Sequence, residues 1–368
     1  MQTIDHRYVK YFDWISFLLI TIIASIGLLY VFSATYRPDI PYSIFFKKQL
    51  FGVISGIVIY WLCSLLDYRK ALIWGYTAYI AVIGLLIITM IKGSVGMGAQ
   101  RWIDLGFTKV QPSEFIKIFF PAFIVYYCCI KRDIINSNWK EYLPIIIPLF
   151  ASGLLVLKQP DLGTAIVLMF SGLITLWLAG LSRKFFIVGA CTLVLATPLL
   201  WTTLKPYQKQ RIAVFLGQGD TQRERYQIEQ AKIAVGSGGV TGKGILNGTQ
   251  NTLSFLPEGR TDFIFAVLCE ETGFLGALFV LLLYTILFVR LCWQLLGIRP
   301  IAPRLLAAGL IIPVVASTLI NISMVLGLLP IVGIPLPLMS YGISQTWTTF
   351  ACLGLFNSII ARRHYLNG

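Results

Sequence analysis

The sequence predicts an all-α integral membrane protein with about ten transmembrane helices, a single polytopic domain over residues 1–368. Hydrophobic residues make up 57% of the chain and charged residues 12%, unlike a soluble globular protein. Apolar stretches of about 20 residues recur, and a helix of that length crosses the hydrocarbon of a bilayer. We place the spans at roughly 14–34, 45–66, 72–91, 112–130, 143–158, 161–180, 185–203, 263–289, 303–327 and 340–360.

The distribution of Lys and Arg predicts the orientation of these spans. Basic residues concentrate in alternate short loops, which is typical of loops facing the cytoplasm. Both termini are therefore expected in the cytoplasm, and the long segment 204–262 between spans seven and eight becomes a large extracytoplasmic loop. That loop is also basic, but the charge rule weakens for long loops. The residues expected on the cytoplasmic side are Arg7, Lys10, Arg69, Lys70, Lys131, Arg132, Lys140, Arg183, Lys184, Arg290, Arg299, Arg304, Arg362 and Arg363.

Composition narrows the chemistry that the chain is expected to perform. The two histidines, His6 and His364, lie at the chain ends, and none of the seven cysteines forms a CxxC pair. A Ser-His-Asp triad and a His-rich metal site are therefore not expected. Acid–base chemistry falls to carboxylates, Lys or Tyr. The first apolar run is too long for a signal-peptide core, so we expect it to remain as the first span.

Charged residues near the outer ends of the spans are the first candidates for function, because such groups are costly in lipid. Glu114 and Lys117 are three residues apart on a predicted helix, so they share a face and can pair. The pair either joins two spans or lines a substrate cavity, and we expect that cavity to be shared with Asp262. Asp161 either caps the helix that follows it or takes part in chemistry.

The large loop contributes two further candidates. The glycine-rich segment 236–244 fails the P-loop pattern, because Ser237 stands where a glycine is needed and Gly244 follows Lys243. It either cradles a phosphate or forms a turn. Asp262 lies where the loop re-enters the membrane, so burial should raise its pKa and suit it to act as a base. Asp262 could also cap the next helix, either instead of this role or in addition to it.

Several long strings of this sequence resemble the SEDS family (shape, elongation, division and sporulation), and they follow in order over nearly the whole chain. The short N-terminal tail and Gly248-Thr249-Gln250 favour its elongation branch. The matching strings are GAQRWIDLG, QPSEFIK, QPDLGT, IAVGSGGVTGKG, GTQNTLSFLPEGRTDFIFAVLCEETG and LPIVGIPLPLMSYG.

The resemblance implies a peptidoglycan glycosyltransferase that polymerises lipid II on the outer face of the bacterial cytoplasmic (inner) membrane, during cell elongation and rod-shape maintenance. It also implies a class B penicillin-binding protein and other elongation-complex proteins as partners. Asp262 would be the catalytic carboxylate. The residues expected to line or support the cavity are Glu114, Lys117, Arg101, Asp161, Glu258, Lys243 and Ser340.

The chain departs from the family pattern at two places. The family has PE-x-H or a similar string before TDF, and this chain has Pro257-Glu258-Gly259-Arg260. The family's SYGGS is Ser340-Tyr341-Gly342-Ile343-Ser344 here, which predicts altered packing at Ile343.

The expected reaction is glycosyl transfer between two lipid-linked sugars, with undecaprenyl pyrophosphate as the leaving group. Asp262 would take the proton of the attacking hydroxyl. Lys and Arg of the loop, or a divalent cation (Mg²⁺ or Mn²⁺), would stabilise the leaving diphosphate. No nucleotide cofactor and no nucleic-acid partner are expected. Two alternatives remain at this stage: a lipid II flippase, and a non-catalytic scaffold for the penicillin-binding protein.

Overall fold

The structure, a computed structural model, has a helix at each of the ten predicted span positions. It describes residues 11–96, 99–104, 106, 108–131, 134–135, 137–203, 206–215, 222–252, 255–256 and 258–366. Within these residues, seven helices are long and apolar enough to cross a membrane. In chain order the helices are α1 (Trp14–Thr35), α2 (Ile44–Leu65), α3 (Tyr68–Lys92), α4 (Pro112–Val125), α5 (Leu143–Lys158), α6 (Leu162–Leu178), α7 (Arg183–Thr203), α8 (Pro206–Phe215), α9 (Gln222–Ser237), α10 (Thr249–Thr252), α11 (Ile264–Leu296), α12 (Ile301–Val325) and α13 (Ile343–Leu366).

A small antiparallel sheet between α3 and α4 corrects the all-α prediction. Its strands, in spatial order, are β1 (Ser94–Gly96), β2 (Ala99–Asp104) and β3 (Lys109–Val110). These strands are two to six residues long, too short to give a clear alternating hydrophobic pattern. The sheet leads directly into α4, and it thereby holds Arg101 at the same end of the bundle as the start of that helix.

The large loop contains α8, α9 and α10, and its glycine-rich segment docks on a break in α11. Gly273 has φ 65° and ψ −162°, a conformation that glycine adopts at low cost. The break leaves two N–H groups outside the helical pattern. The amide of Phe274 donates to the carbonyl of Gly239 at 2.9 Å, and Leu275 donates to Val240 at 3.1 Å. The loop backbone therefore supplies the hydrogen bonds that the broken helix lacks.

The pairing of α2 with α13 depends on small residues at close approach. A Cβ added to Gly56 would lie 2.5 Å from the ring of Phe350, and one added to Gly354 would lie 2.5 Å from the carbonyl oxygen of Tyr60. Such contacts let two helix backbones pack tightly where lipid supplies no hydrophobic drive. Ile343, the departure from the family pattern, contacts Gly52 in the same seam, 3.4 Å from where a Cβ there would lie.

A buried carboxylate, that of Asp13, connects three helices at the end of the bundle opposite the large loop. Asp13 begins α1 and accepts hydrogen bonds from Arg290 and Gln294, each at 2.6 Å. Its backbone amide donates to the side chain of Asn357 at 3.1 Å. These contacts tie α1 to α11 and α13 and satisfy the Asp13 charge within the protein.

Helix α7 packs against the rest of the bundle much less than its neighbours do. None of its described side chains is buried, and Phe185, Phe186 and Ala196 are half-buried while the other described ones are exposed. Leu195 is 81% exposed, and such an apolar surface is stable in lipid but not in water. The flank of the bundle beside α7 is therefore open to the membrane.

Candidate active site

Asp262 lies at the junction of the large loop and α11, and its side chain does not cap that helix. The N-cap residue of α11 is Phe263, which makes no side-chain capping hydrogen bond. The backbone carbonyl of Asp262 accepts a hydrogen bond from the Asn321 amide at 2.8 Å. The capping interpretation is therefore wrong for Asp262, and its carboxylate is not engaged in holding the helix start.

The Asp262 carboxylate is surrounded by charges of both signs, and its pKa is raised from 3.8 to about 7. Burial is the largest cause, and the negative charge of Glu258 adds to it. The positive charges of Arg211 and Arg101 act in the opposite direction, and Asp161 adds a smaller increase. A carboxylate with a pKa near neutrality is suited to accept a proton from a sugar hydroxyl.

The backbone just before Asp262 is clamped to the segment between α12 and α13. Ser340 Oγ donates to the carbonyl oxygen of Thr261 at 2.5 Å and accepts from the amide of Leu336 at 2.8 Å. Asn321 donates a second hydrogen bond, to the carbonyl oxygen of Ile334 at 2.7 Å. Ser340 is buried, so it acts by positioning the Asp262 turn and not as an open cavity wall.

Glu258 and Gly333 approach Asp262 from two sides. Glu258 has a left-handed backbone with φ 59°, and its carboxylate accepts a hydrogen bond from the hydroxyl of Thr261 at 3.0 Å. Gly333 has φ 74°, and a Cβ added to it would lie 3.5 Å from Asp262 Oδ2. The carboxylate therefore sits between a second acid and a bare stretch of backbone.

Asp161 is held by a cap, an amide and a guanidinium group. It is the N-cap residue of α6, and its Oδ1 accepts from the amide of Thr164 at 3.1 Å, which confirms the capping interpretation. Its Oδ2 accepts from Gln111 at 2.5 Å and lies 3.6 Å from Arg101. Asp161 therefore orients Arg101 beside Asp262.

Glu114 and Lys117 form the predicted pair, with Lys117 Nζ 2.7 Å from Glu114 Oε1 and both side chains buried. The pair lines a small cavity against α12 and α13, with room for roughly one water molecule. Asp262 is not among the residues that line this cavity, and the expectation of a larger cavity shared with Asp262 stays a prediction. Glu114 Oε2 and Thr348 Oγ1 border this cavity without a hydrogen-bond partner among the described residues.

The glycine-rich segment 236–244 acts as a docking turn, because the amides of Gly239, Gly242, Lys243 and Gly244 all donate within the protein. The amides of Lys243 and Gly244 donate to the carbonyls of Glu270 and Glu271, at 3.1 and 2.9 Å. Lys243 Nζ pairs with the buried Glu270 carboxylate at 2.6 Å. Lys243 therefore fastens the loop to α11, and neither its side chain nor these four amides are available to bind a phosphate.

Two residues of the site were not singled out from the sequence. Asn321 is a fully buried polar residue in the apolar helix α12, and a polar residue at that depth is itself a signal of function. Arg211 lies on α8 among other basic residues of the loop, and its spacing carries no sign that it faces Asp262.

The donor set does not fit a metal held by the protein itself. In the described ranges, no three His, Cys, Asp or Glu side chains come together as ligands. Arg101 and Arg211 already act on the Asp262 carboxylate. We therefore derive no catalytic step through a metal, and a divalent cation carried by a substrate diphosphate stays a proposal.

The coupling between Glu258 and Asp262 makes a pH-dependent prediction. A base is active when deprotonated, so the polymerisation that the resemblance implies should fall as the pH drops through about 7, the pKa of Asp262. Glu258→Gln removes a charge that raises this pKa, so the acidic limb of the pH–kcat/KM profile should move to lower pH. Glu229→Gln, an exposed carboxylate of α9 that is not among the groups acting on Asp262, is the control. An unmoved limb in Glu258→Gln would contradict the coupling.

The sequence comparisons bear on what this site does. The profile of the FtsW, RodA and SpoVE family, described as cell cycle protein, matches residues 13–365. The chain is 40% identical over 323 residues to the peptidoglycan glycosyltransferase MrdB of Escherichia coli K12, covering 87% of each chain. It is 32% identical to MrdB of Helicobacter pylori strain J99, over 99% of this chain and 93% of that protein.

Solved structures share the fold over nearly the whole chain. A chain from a peptidoglycan synthase complex, described as coordinating polymerization and crosslinking, superposes with a TM-score of 0.80 at 27% identity, covering 96% of this chain and 98% of that chain. The rod shape determining protein RodA of Thermus thermophilus superposes with a TM-score of 0.70 at 26% identity, with the same coverage.

Proposed function

Because the chain belongs to the FtsW, RodA and SpoVE family of cell cycle proteins, we propose that it is a peptidoglycan glycosyltransferase that polymerises lipid II during cell elongation. Its relatives are named as peptidoglycan glycosyltransferases, including MrdB and RodA. The observation that carries the proposal is the Asp262 carboxylate, which is free of any capping role and has a pKa near neutrality beside Arg101 and Arg211.

In the proposed reaction, the acceptor's GlcNAc 4-hydroxyl attacks C1 of the donor's MurNAc. Asp262 takes the hydroxyl proton as the new glycosidic bond forms. The bond from C1 to the diphosphate breaks, and undecaprenyl pyrophosphate leaves with the bonding electrons. Arg101 and Arg211 offer positive charge near the developing negative charge. Asp161 and Gln111 are positioning residues that act through Arg101.

We propose ten membrane spans, in the bacterial cytoplasmic (inner) membrane, with both termini in the cytoplasm and residues 204–262 outside. The chain is a multi-pass membrane protein. Helices α6, α7 and α13 coincide with the three predicted spans that lie outside the seven clearly apolar helices. In this arrangement, the polyprenyl tail of a substrate enters from the lipid through the open flank beside α7, while its sugar reaches the Asp262 site on the outer side.

The proposed topology predicts the accessibility of Val240, whose side chain is 64% exposed on the large loop. In a Cys191→Ser, Cys292→Ser background, Val240→Cys should react with a membrane-impermeant maleimide in intact spheroplasts, because the loop faces outward. Arg69→Cys, an exposed position in the first turn of α3 at the end expected inside, should react after permeabilisation and is the matched control. Labelling of Val240→Cys that requires permeabilisation would overturn the topology.

A class B penicillin-binding protein is the proposed partner. Support comes from the similar chain in a synthase complex that coordinates polymerization and crosslinking. Transpeptidation by the partner would crosslink the strands that this chain makes. Other elongation-complex proteins remain proposed partners as well.

A flippase is the second candidate function, and one observation weighs against it. The groups acting on Asp262 gather at the outer end in the proposed topology, whereas Asp13 and Arg290 at the other end are tied to each other and to neighbouring helices. A flippase needs a polar route from both sides. A scaffold without chemistry remains the third candidate.

The deciding experiment supplies labelled lipid II to the purified protein in lipid nanodiscs, with and without its partner. The proposed enzyme would be supported if glycan polymer is made in the presence of the partner and undecaprenyl pyrophosphate is released at the same time. Transfer of lipid II between leaflets of vesicles without polymer would favour a flippase. Neither activity, together with stimulation of the partner's crosslinking, would favour a scaffold.

A further inference from the structure

Arg260 lies two residues before Asp262 and carries a guanidinium group without a carboxylate partner in the described part of the chain. Its side chain is half-buried, and its Nε is buried without a hydrogen-bond partner. Arg101, by contrast, lies 3.6 Å from Asp161. Arg260 is also not among the charges that shift the pKa of Asp262.

Phe45 packs on this guanidinium group, and Tyr341 holds both the Phe45 ring and the Arg260 backbone. The Arg260 Cζ lies 3.9 Å from the centre of the Phe45 ring, a distance that is typical of a cation–π contact. The Tyr341 amide donates to the Arg260 carbonyl oxygen at 2.9 Å, and the Tyr341 ring packs edge-on against Phe45 at 5.5 Å. The side chain is thus stacked on one face while its backbone is pinned.

A guanidinium group held in this way has a defined binding geometry. Stacking occupies a face of the plane, and the five N–H donors point outward along its edges. Burying part of a cation costs free energy when its N–H donors lack hydrogen-bond partners. An anion with two oxygens in one plane can accept hydrogen bonds from two of these donors. Phosphate groups have that geometry, and Arg binds them in a bidentate manner.

We propose that Arg260 binds the diphosphate group of a polyprenyl-linked substrate or product. The inference rests on the proposed function, which supplies a diphosphate on each substrate and on the leaving group. Arg260 and Asp262 are at most about 7 Å apart along the backbone, so the diphosphate would bind at the same junction of the large loop and α11. Arg260 is therefore a substrate-binding cation that is distinct from Arg101 and Arg211.

The test measures binding of labelled undecaprenyl pyrophosphate to purified protein in nanodiscs made of phosphatidylcholine. Arg260→Gln should weaken binding roughly tenfold or more, because a bidentate charged contact is lost. The affinity of Arg260→Lys should lie between those of the wild type and Arg260→Gln, because Lys keeps the positive charge but lacks the planar guanidinium group. Undecaprenol, which lacks the diphosphate, should bind all three proteins equally weakly.

Two competitors distinguish the sources of the phosphate. Inorganic pyrophosphate should displace the labelled lipid from the wild-type protein and do so less well from Arg260→Gln. Phosphatidylglycerol, an ordinary anionic headgroup, should displace little. Displacement by phosphatidylglycerol as strong as by pyrophosphate would overturn the proposal, because the site would then be a general headgroup contact.

Further variants test whether weaker binding reflects the loss of the Arg260 contact or unfolding of the protein. Phe45→Leu keeps the cation but removes the stack, so binding should weaken by a smaller factor than in Arg260→Gln. Arg37→Gln, an exposed arginine of another loop, should bind like the wild type. Thermal unfolding of each variant shows whether it is folded, and a folded Arg260→Gln that binds like wild type would overturn the proposal.

The assay is repeated in an Asp262→Asn background, so that binding is measured without turnover. If the wild-type protein makes no polymer but the dependence on Arg260 remains, the proposed function fails and the diphosphate site stands. If polymer is made and Arg260→Gln binds undecaprenyl pyrophosphate normally, the proposed function stands and this inference fails.

Discussion

Asp262→Asn is expected to reduce lipid II polymerisation by roughly 10²-fold or more, because removing a general base typically costs that much. Asn keeps the size of the side chain but cannot accept the hydroxyl proton. The loss should appear in kcat while binding of the partner and of undecaprenyl pyrophosphate persists. Asp39→Asn makes the same change at an exposed position and should polymerise like the wild type.

The stability of Asp262→Asn separates a catalytic role from a structural one. The pKa of Asp262 is raised in the folded protein from 3.8 to about 7, so its charged form is penalised by folding. That penalty develops as the pH rises from about 4 to about 7 and is complete above it. At pH 8 the Asn variant should therefore unfold at the same temperature as the wild type or higher. If Asp262→Asn polymerises lipid II nearly as well as the wild type, the catalytic role belongs to another carboxylate, Glu258 or Glu114.

Loss of one member of the Glu114–Lys117 pair should destabilise the protein more than loss of both. The two side chains are buried and 2.7 Å apart. Glu114→Met or Lys117→Met leaves a buried charge without its partner, which typically costs about 3–5 kcal/mol. The double variant removes both charges and should recover most of that free energy of unfolding. The measurement is reversible unfolding in detergent, read by a structural probe.

The control for this cycle is Lys184→Met, which removes an exposed charge from the start of α7 and should change stability little. A double variant that loses the sum of the two single losses would contradict the pairing argument. Polymerisation by a stable double variant would further show that the pair is structural, whereas a folded but inactive one would place it in the reaction path.

The positions of the helices followed from hydropathy because each apolar stretch is long enough to be read without its neighbours. The Leu143–Lys158 helix, for example, coincides with its predicted bounds. Hydropathy did not predict the sheet around Arg101, because strands of two to six residues form only in the context of the surrounding structure. The break at Gly273 was also missed, since one glycine in a long apolar helix gives no sign of a positive φ.

The candidate site was predictable in its residue types but not in its contacts. Asp161 and Asp262 both precede a helix in the sequence, yet Asp161 caps its helix and Asp262 does not. Local spacing cannot separate them, because the difference arises from Asn321 and Ser340, which are 59 and 79 residues from the backbone groups that they bind. Lys243 was expected beside the substrate, but the buried Glu270 binds it.

The sparse packing of α7 makes the surrounding bilayer part of the structure. A helix with few protein neighbours is held at its depth and angle mainly by lipid, so its tilt adjusts to hydrocarbon thickness while the packed helices, such as α2 and α13, keep their geometry. Thicker and thinner membranes would then present openings of different width beside α7. On the proposed entry route beside α7, acyl-chain length thereby becomes a physical determinant of how fast lipid-linked sugars enter, without any change in the amino-acid sequence.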